Sequence, residues 1–356
     1  MKPLSICILG GTGFLGTRLL ARLIKDGHRV TALSRDREQH KHLLVLPGLT
    51  LENGDVYDEA QLSEHFRGKD VVINLVGILN ERGFGGGGFR RAHTELTRAV
   101  LQAIRSAGVP RLLQVSALKA STEAPSYYLR TKGEAEKLIR ESGANLDWTI
   151  FQPSVMFGPG DSFLNRFAAL LASVPLAFPL ARPDAKFQPV LVDDVIEALR
   201  RCLRGGAGSR QTFELGGPRI YTLREIVELV AKLTDRRRWI IGLPNFVARL
   251  QGLVMDFVPG RPFSTDNYRS LTVDSVCRED GFARLGIKPQ SMMASARQYL
   301  GALEDNARLS DNRATAGRAG HSASISRQEP VTAAEIRSEL SAAAAAAASN
   351  RAATPP

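Results

Sequence analysis

The chain has 356 residues, 44% hydrophobic and 23% charged, with a formal net charge of +11. That is enough for one large α/β domain or two smaller ones with a proper core, and the composition is globular rather than fibrous or wholly disordered. The basic balance invites a nucleic-acid reading, but only 6% of residues are aromatic and the arginines are scattered with no stacking platform among them, so no nucleic-acid partner is expected.

Leu4 to Leu9 reads as a buried strand, and Gly10-Gly-Thr-Gly-Phe-Leu-Gly16 follows at once, with an apolar-periodic helix starting inside the glycines. A second strand, Arg29 to Leu33, ends in Ser34-Arg35. Such a strand–turn–helix–strand unit holds a dinucleotide. Gly10 permits the tight turn, Gly13 lets the backbone approach a pyrophosphate, and Gly16 lets the helix pack close to the sheet. The free N–H groups and the dipole of the helix N-terminus favour the phosphates.

The alternation continues. Leu49 to Leu51 leads into Gly54-Asp55 as a third strand, and Asp70 to Leu75 is a fourth, with Gly77 just beyond it. A helix is expected over about 90–107, a fifth strand over Arg111 to Val115 ending at Ser116, a helix from Tyr128 to Ser142, and a sixth strand over Asp147 to Phe151. Strands alternating with helices predict a Rossmann-type, doubly wound parallel α/β sheet over 1–151. From Gln152 the pattern changes. A smaller C-terminal α/β lobe is expected over 152–304, some of whose elements can return to the main sheet. It includes helices near Asn165–Ser173, after Leu191 with an aspartate as N-cap, and over Leu223–Thr234. Residues 305–356 shift to Ser, Arg, Ala and Asn and predict a disordered, low-complexity tail.

Three cysteines, Cys7, Cys202 and Cys277, are widely separated. They form no metal spacing and fit a reducing compartment. Met1 to Ser5 runs directly into the first strand, so no signal peptide is expected, and no apolar run reaches the roughly eighteen residues of a membrane span. The expected location is cytoplasmic, including peripheral attachment to the cytoplasmic face of the inner membrane.

Tyr128 and Lys132 stand four apart on one helix face, downstream of Ser116 at a strand end. A lysine ammonium favours the phenolate and can hold the nicotinamide ribose, while a serine hydroxyl polarises a carbonyl. Lowering a tyrosine to neutral pH asks about three pKa units, roughly 4 kcal/mol, of such a site. The bland alternative is an accidental helical pair.

Gly10 to Gly16, Asp55-Val56, Tyr128-Leu-Arg-Thr-Lys132 and Gln152-Pro-Ser-Val-Met-Phe-Gly-Pro-Gly160 together resemble the extended and atypical short-chain dehydrogenase/reductases. The runs Phe187 to Asp194 and Glu214 to Pro218 resemble the branch containing the NADPH-binding accessory subunit of respiratory complex I and its bacterial relatives, within the NAD-dependent epimerase/dehydratase superfamily. The resemblance spans about residues 3–300. It implies that Thr12, Phe14 and Leu15 line the pyrophosphate turn, that Asp55 and Val56 flank the adenine, and that Leu75, Val76 and Gly77 back the nucleotide. Lys132 would hold the nicotinamide ribose, with Pro153 to Val155 beside the nicotinamide.

Where an acid ending strand two would bind an adenosine 2′-hydroxyl, the chain has Ser34-Arg35-Asp36-Arg37. Arg35, with Arg37, can pair with a 2′-phosphate, which favours NADP(H) over NAD(H). In the alternative, the arginines are surface charges and Asp36 takes the ribose. Two departures weigh against an active enzyme. The interval from Ser116 to Tyr128 is short, and the helix over 90–107 has no asparagine; His93 stands near that place and could relay protons or simply be packed. Gly83 to Phe89 reads as a mobile loop beside the site.

Two readings follow. In the first, the dinucleotide is a structural or sensing ligand of an assembly protein linked to a respiratory or quinone-synthesis complex, with peripheral membrane contact. In the second, Ser116, Tyr128 and Lys132 serve an active reductase, dehydrogenase or nucleotide-sugar epimerase, with Arg166, Arg182 and Arg261 available to a substrate. The apolar stripe over Phe246–Val258 is expected to pack against the smaller lobe, with lipid or a partner as the other use.

Overall fold

The computed structural model describes residues 2–300, apart from Arg82, Phe84, Gly205, Arg237 and 259–262. The expected tail over 305–356 and Arg261 therefore lie outside the described residues.

Seven parallel strands form the central sheet: β1 (Ser5–Leu9), β2 (Arg29–Ser34), β3 (Leu49–Asn53), β4 (Val71–Asn74), β5 (Arg111–Val115), β6 (Asp147–Pro153) and β7 (Gln211–Leu215). Their order is β3-β2-β1-β4-β5-β6-β7, the doubly wound arrangement that the alternation predicts. Helices cover both faces, which is why β1, β4 and β5 are near-continuous apolar runs. Leu9 pairs with both Leu33 and Asn74, so the carboxyl ends of β2, β1 and β4 are level where the strand order reverses. A crevice at that point takes ligands in open α/β sheets.

Among the described residues, the helices that position the rest include α1 (Phe14–Lys25), α2 (Glu59–Phe66), α3 (Leu96–Ala107), α4 (Tyr127–Arg140), α5 (Leu164–Ser173), α6 (Val192–Arg201), α7 (Leu223–Leu233), α8 (Asn245–Met255) and α9 (Thr265–Ser270). On α1, Leu15, Leu19, Leu20 and Leu23 recur at helical spacing and are buried against Ile6 and Ile8 of β1 together with Val195 and Leu199 of α6. Each such leucine contributes about 1.5–3 kcal/mol by leaving water. Leu62, Phe66, Val100, Ile104, Ile139 and Trp148 fill the opposite face. A third cluster, including Phe157, Leu164, Leu171, Phe178, Ile226, Val227 and Tyr299, is the core of the C-terminal lobe. Residues after 152 divide between the two parts: β7 and α6 join the main sheet, whereas α5 and α7 build the lobe.

Three expectations are corrected. The helix before β5 begins not near 90 but at Gly87, and Arg91–Glu95 is a π-helical turn before α3. It starts inside the glycines because the Glu81 carboxylate accepts the N–H groups of Gly86 (2.7 Å) and Gly88 (2.8 Å). Helix α6 has no aspartate at its N-cap; that place is Leu191, and Asp193 and Asp194 lie inside the first turn. Asp194 instead accepts the N–H of Gln290 at 2.7 Å. Finally, the Phe246–Val258 stripe does not pack inward. Ala248 and Gly252 are the buried residues of α8, because only small side chains let Ser264 and Thr265 approach, while the large apolar residues face outward.

Candidate functional site

Gly10 has φ +76°, a left-handed conformation, and a Cβ there would stand 3.1 Å from the Leu75 carbonyl carbon and the Val76 nitrogen. The turn after β1 thus lies directly on the end of β4. A Cβ on Gly16 would fall 2.4 Å from the Gly10 oxygen, so the first turn of α1 can close on the loop only with glycine. Gly13 is the N-cap of α1 with no side-chain cap, which leaves the first-turn N–H groups open to a ligand. Thr12 is half-buried and Leu15 is buried. Phe14 faces Gly158 from the lobe: a Cβ there would lie 3.6 Å from Phe14 Cζ.

At the carboxyl ends of β2 and β3, the Ser34 hydroxyl is buried and accepts the N–H of Asp36 at 3.2 Å. The Asp36 carboxylate accepts the N–H groups of Glu38 (3.0 Å) and Gln39 (3.4 Å). Both bonds fall on its Oδ1, which holds the turn after Arg37. Arg35 is exposed and makes no ion pair among the described residues, whereas Arg37 faces Glu38 at 3.8 Å. Asp55 accepts the N–H of Tyr57 at 3.0 Å, beside half-buried Val56. The Arg91 guanidinium lies 4.6 Å from the Tyr57 ring centre. Burial raises the Tyr57 pKa, with Arg91 and Arg35 pulling it back. Two cations thus share this corner, and the sequence pointed to only one of them.

Around the end of β4, Leu75 and Val76 are half-buried and Gly77 is exposed. Lys132, buried on α4, reaches the carbonyls of Val76 (3.3 Å) and Val115 (3.2 Å), spanning the ends of β4 and β5. A Cβ on Gly77 would be 3.1 Å from its Nζ. Burial brings the Lys132 pKa down to about 8, with Glu136 one turn on opposing the fall. Glu136 is buried and accepts from Gln152 (2.7 Å) and Arg140 (2.6 Å), a network that sequence reasoning missed. Its sequence signal was a glutamate four residues after the lysine.

His93 sits in the π turn, and both of its nitrogens are engaged. Nε2 accepts the N–H of Ile78 at 3.3 Å. Nδ1 lies 2.9 Å from Thr131 Oγ1, which itself donates to the carbonyl of Tyr127 at 2.8 Å, so Nδ1 carries the hydrogen. Burial, with Lys132 second, pushes the His93 pKa down to about 2. Of the two roles the sequence left open, burial and the engagement of both nitrogens favour a neutral, packed, hydrogen-bonded strut. Its ring meets Tyr128 and Phe89 at centroid distances of 5.6 and 5.9 Å.

Burial raises the Tyr128 pKa to about 12. Its hydroxyl makes no hydrogen bond among the described residues, and the ring packs on the Ala117–Ala124–Leu129 cluster. The Ser116 hydroxyl at the end of β5 is buried without a partner among the described residues. Ser116 donates its N–H to Phe151 at 2.7 Å, and Leu118 donates to Pro153 at 2.9 Å. Val155 follows Ser154, whose hydroxyl meets Ser275. The N-terminus of α4 is held from far away: the buried Asp266 carboxylate accepts the N–H groups of Tyr127 (2.6 Å) and Tyr128 (3.1 Å). No local pattern announced that contact. Of the lobe arginines, Arg182 lines an open cleft with Arg224 and Asn245, which does not include Arg166.

The arrangement can hold a dinucleotide along the crevice: a glycine turn for the pyrophosphate, cations at one end, and Lys132, Tyr128 and an unpartnered serine hydroxyl at the other. A family model described as NAD(P)H-binding matches residues 10–160. The mitochondrial NADH dehydrogenase (ubiquinone) 1 alpha subcomplex subunit 9 of Rattus norvegicus is 32% identical over 303 residues, covering 82% of this chain and 78% of that protein. A ceramide reductase of Caulobacter vibrioides is 29% identical, over 70% of this chain and 77% of that protein. Among solved structures, the NADPH complex of an NADPH-dependent quinone oxidoreductase from Escherichia coli superposes with a TM-score of 0.65. That pair is 20% identical and covers 83% of this chain and 99% of the other.

Proposed function

This chain belongs to the atypical short-chain dehydrogenase/reductases and shares ancestry with the alpha subcomplex subunit 9 proteins, and we propose that it holds NADP(H) in a structural, sensing or assembly role. The name of the rat relative supports a link to respiratory complex I or quinone metabolism. One observation carries the choice of holder over catalyst: Lys132 gives two of its three ammonium hydrogens to the Val76 and Val115 carbonyls, leaving one for a ribose, while burial lifts Tyr128 to about 12. A general base needs the opposite shift.

In this reading the N–H groups after Gly13 take the pyrophosphate, with Thr12, Phe14 and Leu15 lining the turn. Arg35 and Arg91 take a 2′-phosphate, and the engagement of Asp36 Oδ1 by the N–H groups of Glu38 and Gln39 supports NADP(H) over NAD(H). Asp55 and Val56 flank the adenine, Leu75 to Gly77 back the nucleotide, and Lys132 and Tyr128 reach the nicotinamide ribose beside Pro153 and Val155. When bound, the nicotinamide ring supplies a hydride donor or acceptor. Ser116, with its hydroxyl free, is the side chain placed to orient the carboxamide or a carbonyl there.

The test is to extract nucleotide from fresh protein and time its replacement by labelled NADPH. The holder reading expects NADP(H) to co-purify and exchange over hours. Empty protein exchanging within seconds, or recovery of NAD(H) alone, overturns it. The ceramide reductase relative, with Ser116, Tyr128 and Lys132 all present, favours a second reading as an active reductase. Tyr128→Phe separates the two, since an enzyme loses turnover but keeps its nucleotide.

A further inference from the structure

Helix α8 is built inside out. Its small residues Ala248 and Gly252 are buried, whereas Phe246 is 74% exposed and Leu250, Leu253 and Val254 are each more than half exposed. At 100° per residue these four span an arc of about 100° on the side opposite Ala248 and Gly252. The next turn adds Phe257 at 73%, and the strand leading into the helix adds Trp239 at 78% and Ile241. Solvent-exposed apolar residues grouped in this way mark an interaction surface.

The surrounding charge decides the occupant. From Asp235 to Val258 four arginines stand against two acids. One acid, Asp256, is buried and accepts from Thr265 at 2.6 Å, so it offers no charge to the exterior. Arg249 flanks the apolar arc, is exposed and makes no ion pair among the described residues. The whole chain carries +11. We infer that α8, with Phe257 and Trp239, docks the protein on an anionic lipid bilayer, its apolar side chains entering the acyl boundary and its arginines meeting the headgroups. No helix among the described residues is long and apolar enough to cross a membrane, so the contact is peripheral. The inference is independent of the nucleotide reading, because none of these residues lies in the crevice.

Co-sedimentation of the full chain with phosphatidylcholine vesicles, with and without a third of phosphatidylglycerol, tests it. The wild type is expected to pellet with the anionic vesicles and to be released by salt. Trp239 fluorescence should shift to the blue on binding, since the other tryptophan, Trp148, is already buried. The triple variant Phe246→Ser, Leu250→Ser, Phe257→Ser changes only exposed side chains and should keep the wild-type melting temperature while binding at least roughly tenfold more weakly. Arg249→Glu should reduce binding to anionic vesicles. The inference is overturned by a wild type that ignores both vesicles, by unchanged binding of the triple variant, or by self-association that the triple variant abolishes with no lipid binding.

Discussion

The imidazole of His93 meets the phenol ring of Tyr128 edge to face, 5.6 Å between centroids and 80° between planes. That contact makes the histidine part of the wall that positions the tyrosine. Its charge state then becomes a matter of stability. The unfolded side chain titrates near 6.5 and the folded one near 2, so below pH 6.5 the unfolded state takes up a proton that the folded state refuses. The stability is full above pH 6.5 and falls with acid, by about 1.4 kcal/mol per unit, or ~2 kcal/mol by pH 5. Urea unfolding of wild type and His93→Asn at both pH values checks this. Asparagine can still donate to Thr131 from the position of Nδ1, is too short to replace Nε2 at Ile78, and has no proton to gain, so the variant should lack that share of the acid loss whatever its baseline stability.

Asp266 should behave as a long-range helix cap. Asp266→Ala removes the acceptor for two main-chain N–H groups and is expected to cost about 2 kcal/mol, with Asp266→Asn costing less because one oxygen remains. Thermal melts of the two variants give the ordering, and equal losses would count against it.

The glycine turn separates stability from binding. A Cβ on Gly13 meets only the Gly10 oxygen, at an ordinary 3.4 Å, and the backbone there is extended. Gly13→Ala should change stability by less than about 0.5 kcal/mol while weakening nucleotide binding. Gly16→Ala, with its Cβ 2.4 Å from the Gly10 oxygen, should lose both. Titration of nucleotide alongside denaturant melts distinguishes the two.

Arg35→Ala and Arg91→Ala should each weaken NADPH by roughly ten- to a hundredfold, the worth of a charge-assisted hydrogen bond, and leave NADH nearly unchanged. Calorimetric titration with both cofactors reads the difference directly. An equal effect on NADH would mean that the arginines do not touch a 2′-phosphate.

Much of the fold was legible because strand and helix periods alternate cleanly through residue 151, and the glycine turn marked the crevice at the carboxyl ends of the strands. The arrangement around Tyr128 was less so. His93 was noticed, but its neutrality depends on Thr131 and on the Ile78 N–H, neither of which any spacing rule pairs with it. Arg91 escaped notice because the π turn shifts the phase of a helix expected to be regular. Asp266 acts across 138 residues on Tyr128, a contact that only the folded lobe creates. The stripe on α8 was recognised as amphipathic, but which side faced inward turned on Gly252, whose lack of a side chain outweighed the pull of its larger neighbours.

Strand β7 joins the sheet 58 positions after β6 has ended, counting from Pro153 to Gln211. During synthesis the edge of β6, carrying Trp148, Ile150 and Phe151, therefore leaves the ribosome without its outer partner. At about 5–20 residues per second the gap lasts roughly 3–12 s, long compared with the microseconds in which chains collapse. The nascent chain must pass through that interval with an apolar sheet edge open to other chains, so overproduction should be most prone to aggregation before β7 is made, a vulnerability absent from the finished molecule.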